Sequence, residues 1–288
     1  MKYKILILFL FSITTIIGKS QTNSEPLNLV KKYFNDDLRN YKSVLIGEAK
    51  EQNFNPKDIG REVKKDFEIL SQKTDNTVIA IALHEGEQNT DLYAFLVKND
   101  EWKIKAFRSL WLPGFFYAML EEYNNLDESG IENKYKEMIE TVKQKNDTIS
   151  ELEIIAEIGT LEEFVAEIQN MKLTVSSDKN LINHFKENRK HFENILELIF
   201  SDTLIVKKEN WRINKENVEF KTELNKILIS SISGNKINEI IDFSIGGMID
   251  NSVGYFYCKD KNKLPEMSDN RYIMIKHLGD GWYLYKTT

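Results

Sequence analysis

The chain has 288 residues and a formal charge of −6, and 41% of its residues are hydrophobic. That is enough apolar material for one large packed domain or two ordinary ones. The acidic balance excludes nucleic acid and anionic membrane as main partners, and a single cysteine, Cys258, excludes an intramolecular disulfide.

Lys2 and Lys4 precede an apolar run from Ile5 to Ile17, after which Gly18 and Ser20 lie three and one residues before a cut ahead of Gln21. This is the pattern of a cleavable signal peptide over residues 1–20. The thirteen residues of that run, interrupted only by Ser12, Thr14 and Thr15, would rise only about 20 Å as a helix, short of the roughly 30 Å hydrocarbon core. The mature protein is therefore expected in the periplasm or medium, with no membrane span.

Ser24, Glu25 and Pro26 make a helix start, with a capping hydroxyl, an early acid and a proline in the first turn. Leu29, Val30, Tyr33, Phe34 and Leu38 form one stripe behind it. Val63, Phe67 and Leu70 predict a second helix within Asn53–Ser71. Strands are predicted over Thr77–His84, Asp91–Lys98 and Glu101–Leu112, with Asn99-Asp100 as a two-residue hairpin loop. Together these make an α+β domain over residues 21–114.

Residues 115–176 read as an acidic helical connector. Between Leu120 and Lys172, fourteen acidic residues face five lysines, the composition of a solvated helical surface. Thr160-Leu161-Glu162-Glu163 is a capping box opening a helix with Leu161, Phe164, Val165, Ile168 and Met171 on one face. Residues 177–288 form a second α+β domain. Its helix starts at Asp178, with Leu181, Phe185, Phe192, Ile195, Leu196 and Ile199 inward. Its strands are Thr203–Val206, Val218–Phe220, Lys226–Ile232, Val253–Cys258, Arg271–His277 and Trp282–Tyr285, and Gly279-Asp280-Gly281 makes the last hairpin. The fold class is α+β, with two domains, each a helix packed on an antiparallel sheet, joined by the acidic segment.

The stretches Leu29–Leu38, Val78–Leu83, Tyr93–Lys98 and Trp102–Phe107 resemble the NTF2-like (cystatin-like) α+β superfamily over roughly residues 25–112. The resemblance implies an N-terminal helix packed into a curved antiparallel sheet. In family enzymes it also implies an Asp, Glu or His inside the resulting cone. The closing stretch, Val253–Tyr257 through Trp282–Tyr285, resembles the ends of exported bacterial proteins and implies no activity.

Three residues are ligand-binding candidates: His84, Arg108 and Trp102. Strand alternation puts Arg108 on a face with Trp102, Ile104, Ala106 and Leu110, and His84 on a face with Val78, Ala80 and Ala82. An Arg to hold a carboxylate and a His to exchange protons suit a small-ligand site. Otherwise Asp36, Asp37 or Glu68 is expected to neutralise Arg108. His184 and His191, seven residues apart, do not match the i, i+4 spacing of zinc helices. Cys258 reads as a buried hydrophobe, Gly246-Gly247 as a turn or bulge, and Ser252 lacks the preceding glycine of a nucleophile elbow.

No metal or cofactor is expected. The favoured reading is an exported, non-catalytic protein that binds a small molecule or an envelope protein. The alternative is a lyase, isomerase or hydrolase using His84 with Arg108 in an NTF2-like pocket. A closed apolar cavity holding both side chains favours the enzyme, and an exposed aromatic patch favours the binding module.

Overall fold

The computed structural model describes residues 24–60, 62–85, 88–145, 150–202, 205, 208–235 and 239–288. The segment expected as a signal peptide and most of the strand expected at Thr203–Val206 lie outside them. The protein is mixed α+β, with one four-stranded and one six-stranded antiparallel sheet, each packed with helices.

Helix α1 (Glu25–Phe34) starts where expected, the Ser24 hydroxyl accepting from the Leu27 amide. A short helix α2 (Gly47–Gln52) follows. The first sheet runs β1 (Lys64–Gln72), β2 (Asn76–Glu85), β3 (Gln88–Lys98) and β4 (Trp102–Arg108) in sequential order. The segment predicted as a helix around Phe67 is thus strand β1. Phe67 and Leu70, three residues apart, alternate onto opposite faces and pack into different cores. A strand packed on both faces had given a helix-like spacing of apolar residues, and its register shifts only between Ile69 and Ser71. The hairpin between Lys98 and Trp102 spans residues 99–101, and neither Asn99 nor Asp100 has positive φ.

One face of this sheet is sealed by α1. Ile79, Ile81, Leu96 and Ile104 meet Val30, Tyr33 and Phe34 there, all almost fully buried. The rings of Phe34, Phe54 and Phe107 lie mutually within 6.2 Å. Val78, Tyr93, Phe95 and Ala106 face the other way, into a core shared with the C-terminal half.

Four helices connect the sheets: α3 (Gly114–Asn124), α4 (Glu128–Lys145), α5 (Glu151–Ile158) and α6 (Leu161–Thr174). The capping box at Thr160 and Glu163 is formed. Buried Asn170 donates its amide to the carbonyls of Leu228 and Ile245, tying α6 to the second sheet. Helix α7 (Asp178–Ser201) buries all six apolar residues expected to face inward.

The second sheet contains β5 (Asn210–Asn214), β6 (Ser231–Asn235), β7 (Ile240–Met248), β8 (Asn251–Tyr257), β9 (Tyr272–Gly279) and β10 (Trp282–Thr287), ordered β5-β6-β7-β8-β10-β9. Helix α8 (Val218–Lys226) replaces the strand predicted at Val218–Phe220. Leu224 and Ile227 continue from Phe220 at helical spacing and are buried with it. The Gly246-Gly247 pair sits at a bulge in β7, where Gly247 takes φ +143°.

The two halves meet at a buried charge cluster. The Lys286 side chain on β10 is 4% exposed and lies 2.8 Å from Asp178 and 3.2 Å from Asp91. The Asp178 amide donates to Asp91 at 2.6 Å, and the Tyr93 hydroxyl donates to Asp178 at 2.8 Å. Burial, then the adjacent Asp178 carboxylate, pushes the Asp91 carboxyl above its ordinary range in spite of Lys286. Burial pulls the Lys286 ammonium down, but its two carboxylates outweigh that and hold it above an ordinary lysine.

Replacing Lys286 by Met leaves two buried carboxylates without a cation. The expected loss is about 3–5 kcal/mol at pH 7.5, the cost of breaking a buried pair from one side. The loss should be smaller at pH 5 than at pH 7.5, because the Asp91 carboxyl is shifted upward and protonates more readily than an ordinary aspartate. Urea denaturation at both pH values tests this, and a loss below about 1 kcal/mol at pH 7.5 would remove the cluster from its structural role.

Candidate functional site

The three sequence candidates do not converge. His84 lies near the end of β2, opposite Lys64 of β1 and Asn89 of β3. Its Nε2 is 2.8 Å from Asp66 Oδ2 and its Nδ1 is 2.6 Å from the Asn89 side-chain oxygen. Both ring nitrogens are engaged, so the imidazole cannot take a substrate proton without breaking an internal bond.

Arg108 ends β4, opposite Tyr93. Its guanidinium forks onto both oxygens of Glu48 from α2, and also donates to the carbonyls of Asp269 and Phe107. The expected partners were Asp36, Asp37 or Glu68, but Glu68 pairs with Lys276 instead. The side-chain bonds to Arg108, and then its charge, hold the Glu48 carboxyl below its usual range.

Trp102 packs partly buried against the α1 core, with the Lys98 ammonium 5.8 Å from its ring. The pairing of β3 and β4 shifts register between Phe95 and Leu96, leaving Lys105 as the extra residue. Such a bulge reverses alternation. Trp102 and Ile104 therefore join the α1 core while Ala106 joins the shared core, which separates residues that simple alternation had grouped.

Clefts open on either side of the charge cluster. One, of about 340 Å³, lies between the first sheet and α7, and His84, Ala80, Ala82 and Asp91 line it. The other, of about 580 Å³, is lined by Trp111, Tyr117, Lys172 and Lys286. Trp111 is 64% exposed and Tyr117 43%, and on another face of α3 Phe115 and Met119 are exposed at 56% and 45%. Sequence reasoning passed over this group, although a signal was present. Trp111 and Phe115 flank the Pro113-Gly114 break, where a core strand has already ended. A wider groove of about 990 Å³ contains none of the three candidates, and Lys73 and Lys105 there are paired with Glu266 and Asp269.

The remaining singled-out groups are structural in setting. His184 Nδ1 is 3.1 Å from the Tyr255 hydroxyl, whose own proton goes to the Leu181 carbonyl. His184 Nε2 is buried without a partner, and burial lowers this histidine to about 4. His191 is half-exposed, 3.5 Å from Glu223. Cys258 is buried and its thiol donates to the Asp260 carbonyl, with burial pushing the thiol up. Ser252 bonds to Thr287. Among the described residues no group of three or more His, Cys, Asp or Glu could hold a metal ion, and no helix is long and apolar enough to cross a membrane.

Asp242 on β7 is largely buried, and burial pushes it up to about 6 although the Tyr285 hydroxyl donates to it at 2.8 Å. Asp242 and His184 act in opposite directions as pH falls. The carboxyl sits above its unfolded value, so acidification from pH 6 towards 4 stabilises the fold. The imidazole sits below its unfolded value, so acidification from pH 6.5 towards 4 destabilises it. Asp242→Asn should gain up to about 3 kcal/mol at pH 7.5 and lose stability more steeply with acid, whereas His184→Gln should flatten the acid limb. Urea midpoints between pH 7.5 and 4.5 check both, and unchanged slopes in the two variants would refute the assignment.

Arg108→Ala should cost about 2 kcal/mol, less than a fully buried pair, because Glu48 is 45% exposed. Glu48→Gln should recover part of that in the double-mutant cycle, and purely additive losses would mean that the pair is not coupled. Comparison of the chain with protein-family models, with curated proteins and with solved structures finds no match.

Proposed function

We propose that this is an exported, non-catalytic binding protein whose contact surface is built around Trp111, Phe115, Tyr117 and Met119. The observation that carries the reading is the exposure of Trp111 and Tyr117 in one cleft, with Phe115 and Met119 also exposed on the same helix as Tyr117. Large aromatic residues and methionine are enriched where proteins meet and are otherwise costly to leave in water. The sequence from Leu120 to Lys172 beside it carries fourteen acidic residues, so the surface suits a protein of the cell envelope better than an anionic bilayer. Export follows from the leader-like pattern of residues 1–20, with the mature chain working in the periplasm or medium.

The alternative of an enzyme with an NTF2-like pocket requires His84 and Arg108 in one cavity. Each is instead engaged by internal partners, and none of the three clefts described above contains both. The space between α1 and the sheet, where the resemblance would put a cone, is filled by Tyr33, Phe34, Phe54 and Phe107.

A photo-cross-linking amino acid at Trp111 or Phe115 should capture a discrete envelope partner in intact cells. The same group at Ile249, which is 93% exposed on the β7–β8 hairpin, should not. Intact mass of the captured chain should place its N-terminus within about two residues of Gln21. Equal capture at Ile249 would defeat the assigned surface, and a full-length chain held in the inner membrane would defeat export.

A further inference from the structure

The structure assigns a small-anion site to the cleft between the first sheet and α7, and its ligand is a carboxylate carrying a short apolar body. This goes beyond the aromatic surface and does not depend on it.

The shape comes from small residues. Ala80 and Ala82 on β2 line the cleft and, being partly exposed, leave open the depth that larger side chains would fill. Ile182 of α7 adds an apolar wall. The volume of about 340 Å³ lies at the small end of ligand pockets, and Phe67, Ala80, Ala82 and Ile182 supply the apolar part of an otherwise polar lining.

The sign of the ligand comes from which charges are already committed. Asp66 has His84 at 2.8 Å and Lys64 at 3.6 Å. Glu68 has Lys276, and Asp91 and Asp178 share Lys286. Asp66 and Glu68 thus each have an internal cation, while Asp91 and Asp178 divide one between them, which leaves a single carboxylate charge unmatched. Lys179 and Lys186 line the same cleft and, among the described residues, pair with no carboxylate, so the unpaired cations outnumber that charge. Asn183 stands between them with an amide that makes no internal hydrogen bond among the described residues. Positions 179, 183 and 186 are spaced i, i+4, i+7 and share one helix face. The two lysine Cα atoms are about 10 Å apart along α7, a span that two flexible stems close around one carboxylate.

The test titrates the full chain, labelled with nitrogen-15, with 2-methylpropanoate. Its uncharged amide and inorganic phosphate serve as comparison probes. The carboxylate should shift the amides of Ala80, Ala82 and Asn183 saturably. Each exposed lysine contributes about two- to fivefold, so Lys179→Gln with Lys186→Gln should weaken binding about tenfold with an unchanged melting temperature. A control pair, Lys50→Gln with Lys57→Gln, should leave binding unaltered. The uncharged amide should bind at least about tenfold more weakly, having no charge to pair with the two lysines. Shifts that scatter over many lysines without saturating, or that survive the Lys179/Lys186 double substitution, would overturn the site. Phosphate binding as tightly as the carboxylate would overturn the apolar part of the assignment.

Discussion

The architecture turns on one buried cation. Lys286, near the end of the last strand, is the only positive charge bonded to Asp91 and Asp178 among the described residues. The aspartates come from different halves of the chain. Asp91 reaches from the first sheet to accept the Asp178 backbone N–H, so a residue of one half supplies the anion at the start of α7 in the other. Tyr93, two residues along the same strand, donates to Asp178. An ammonium withdrawn from water is tolerable only when its bonds are replaced in full. The pairing therefore specifies one geometry between sheet and helix, which apolar contacts alone would leave free to slide.

That joint also explains where the open space lies. β3 is held to α7 at Asp91 and Tyr93, while β2 presents alanines at positions 80 and 82 opposite the same helix. A rigid polar contact beside small side chains leaves a cleft, because the helix cannot settle onto the alanines without breaking charged hydrogen bonds. On the other side of the cluster, Trp111 follows the end of β4 and α3 begins only after Pro113. The chain has left the sheet there and its aromatic side chains find no layer to enter.

The parts of the fold that were legible in the sequence were those governed by a single local period. The six inward positions of α7, the Ser24 cap and the Thr160 capping box all depend on neighbours within a few residues. The misread parts were those where the period was ambiguous or interrupted. β1 is packed on both faces, so Phe67 and Leu70 read as one helical stripe, and the extra residue Lys105 moved Trp102 and Arg108 onto different surroundings. The charge cluster has no local signature, since Asp91 and Lys286 are 195 positions apart. One clue was available. Lys286 alternates with Trp282 and Leu284 on a strand otherwise rich in large apolar residues, which places a lysine on the inward face. Such a lysine requires buried carboxylates, and Asp178 at the start of an amphipathic helix was one candidate.

The distribution of satisfied and unsatisfied groups separates binding from catalysis. A catalytic centre holds charges or lone pairs ready for a transition state, incompletely paired in the resting protein. Here the candidate groups are already bonded: His84 to Asp66 and Asn89, Arg108 to Glu48, Lys286 to two aspartates. Their interaction energy is already used in holding the fold. Buried His184 Nε2 has no partner, but Tyr255 and Phe192 pack against its ring, and the group is buried rather than presented to a cleft. The uncommitted groups are of another kind: exposed lysines beside an apolar floor, and aromatic rings in water. Such groups gain free energy when something covers or pairs with them. Among the described residues these groups offer pairing and cover rather than an activated nucleophile or poised base, which supports the proposed binding role.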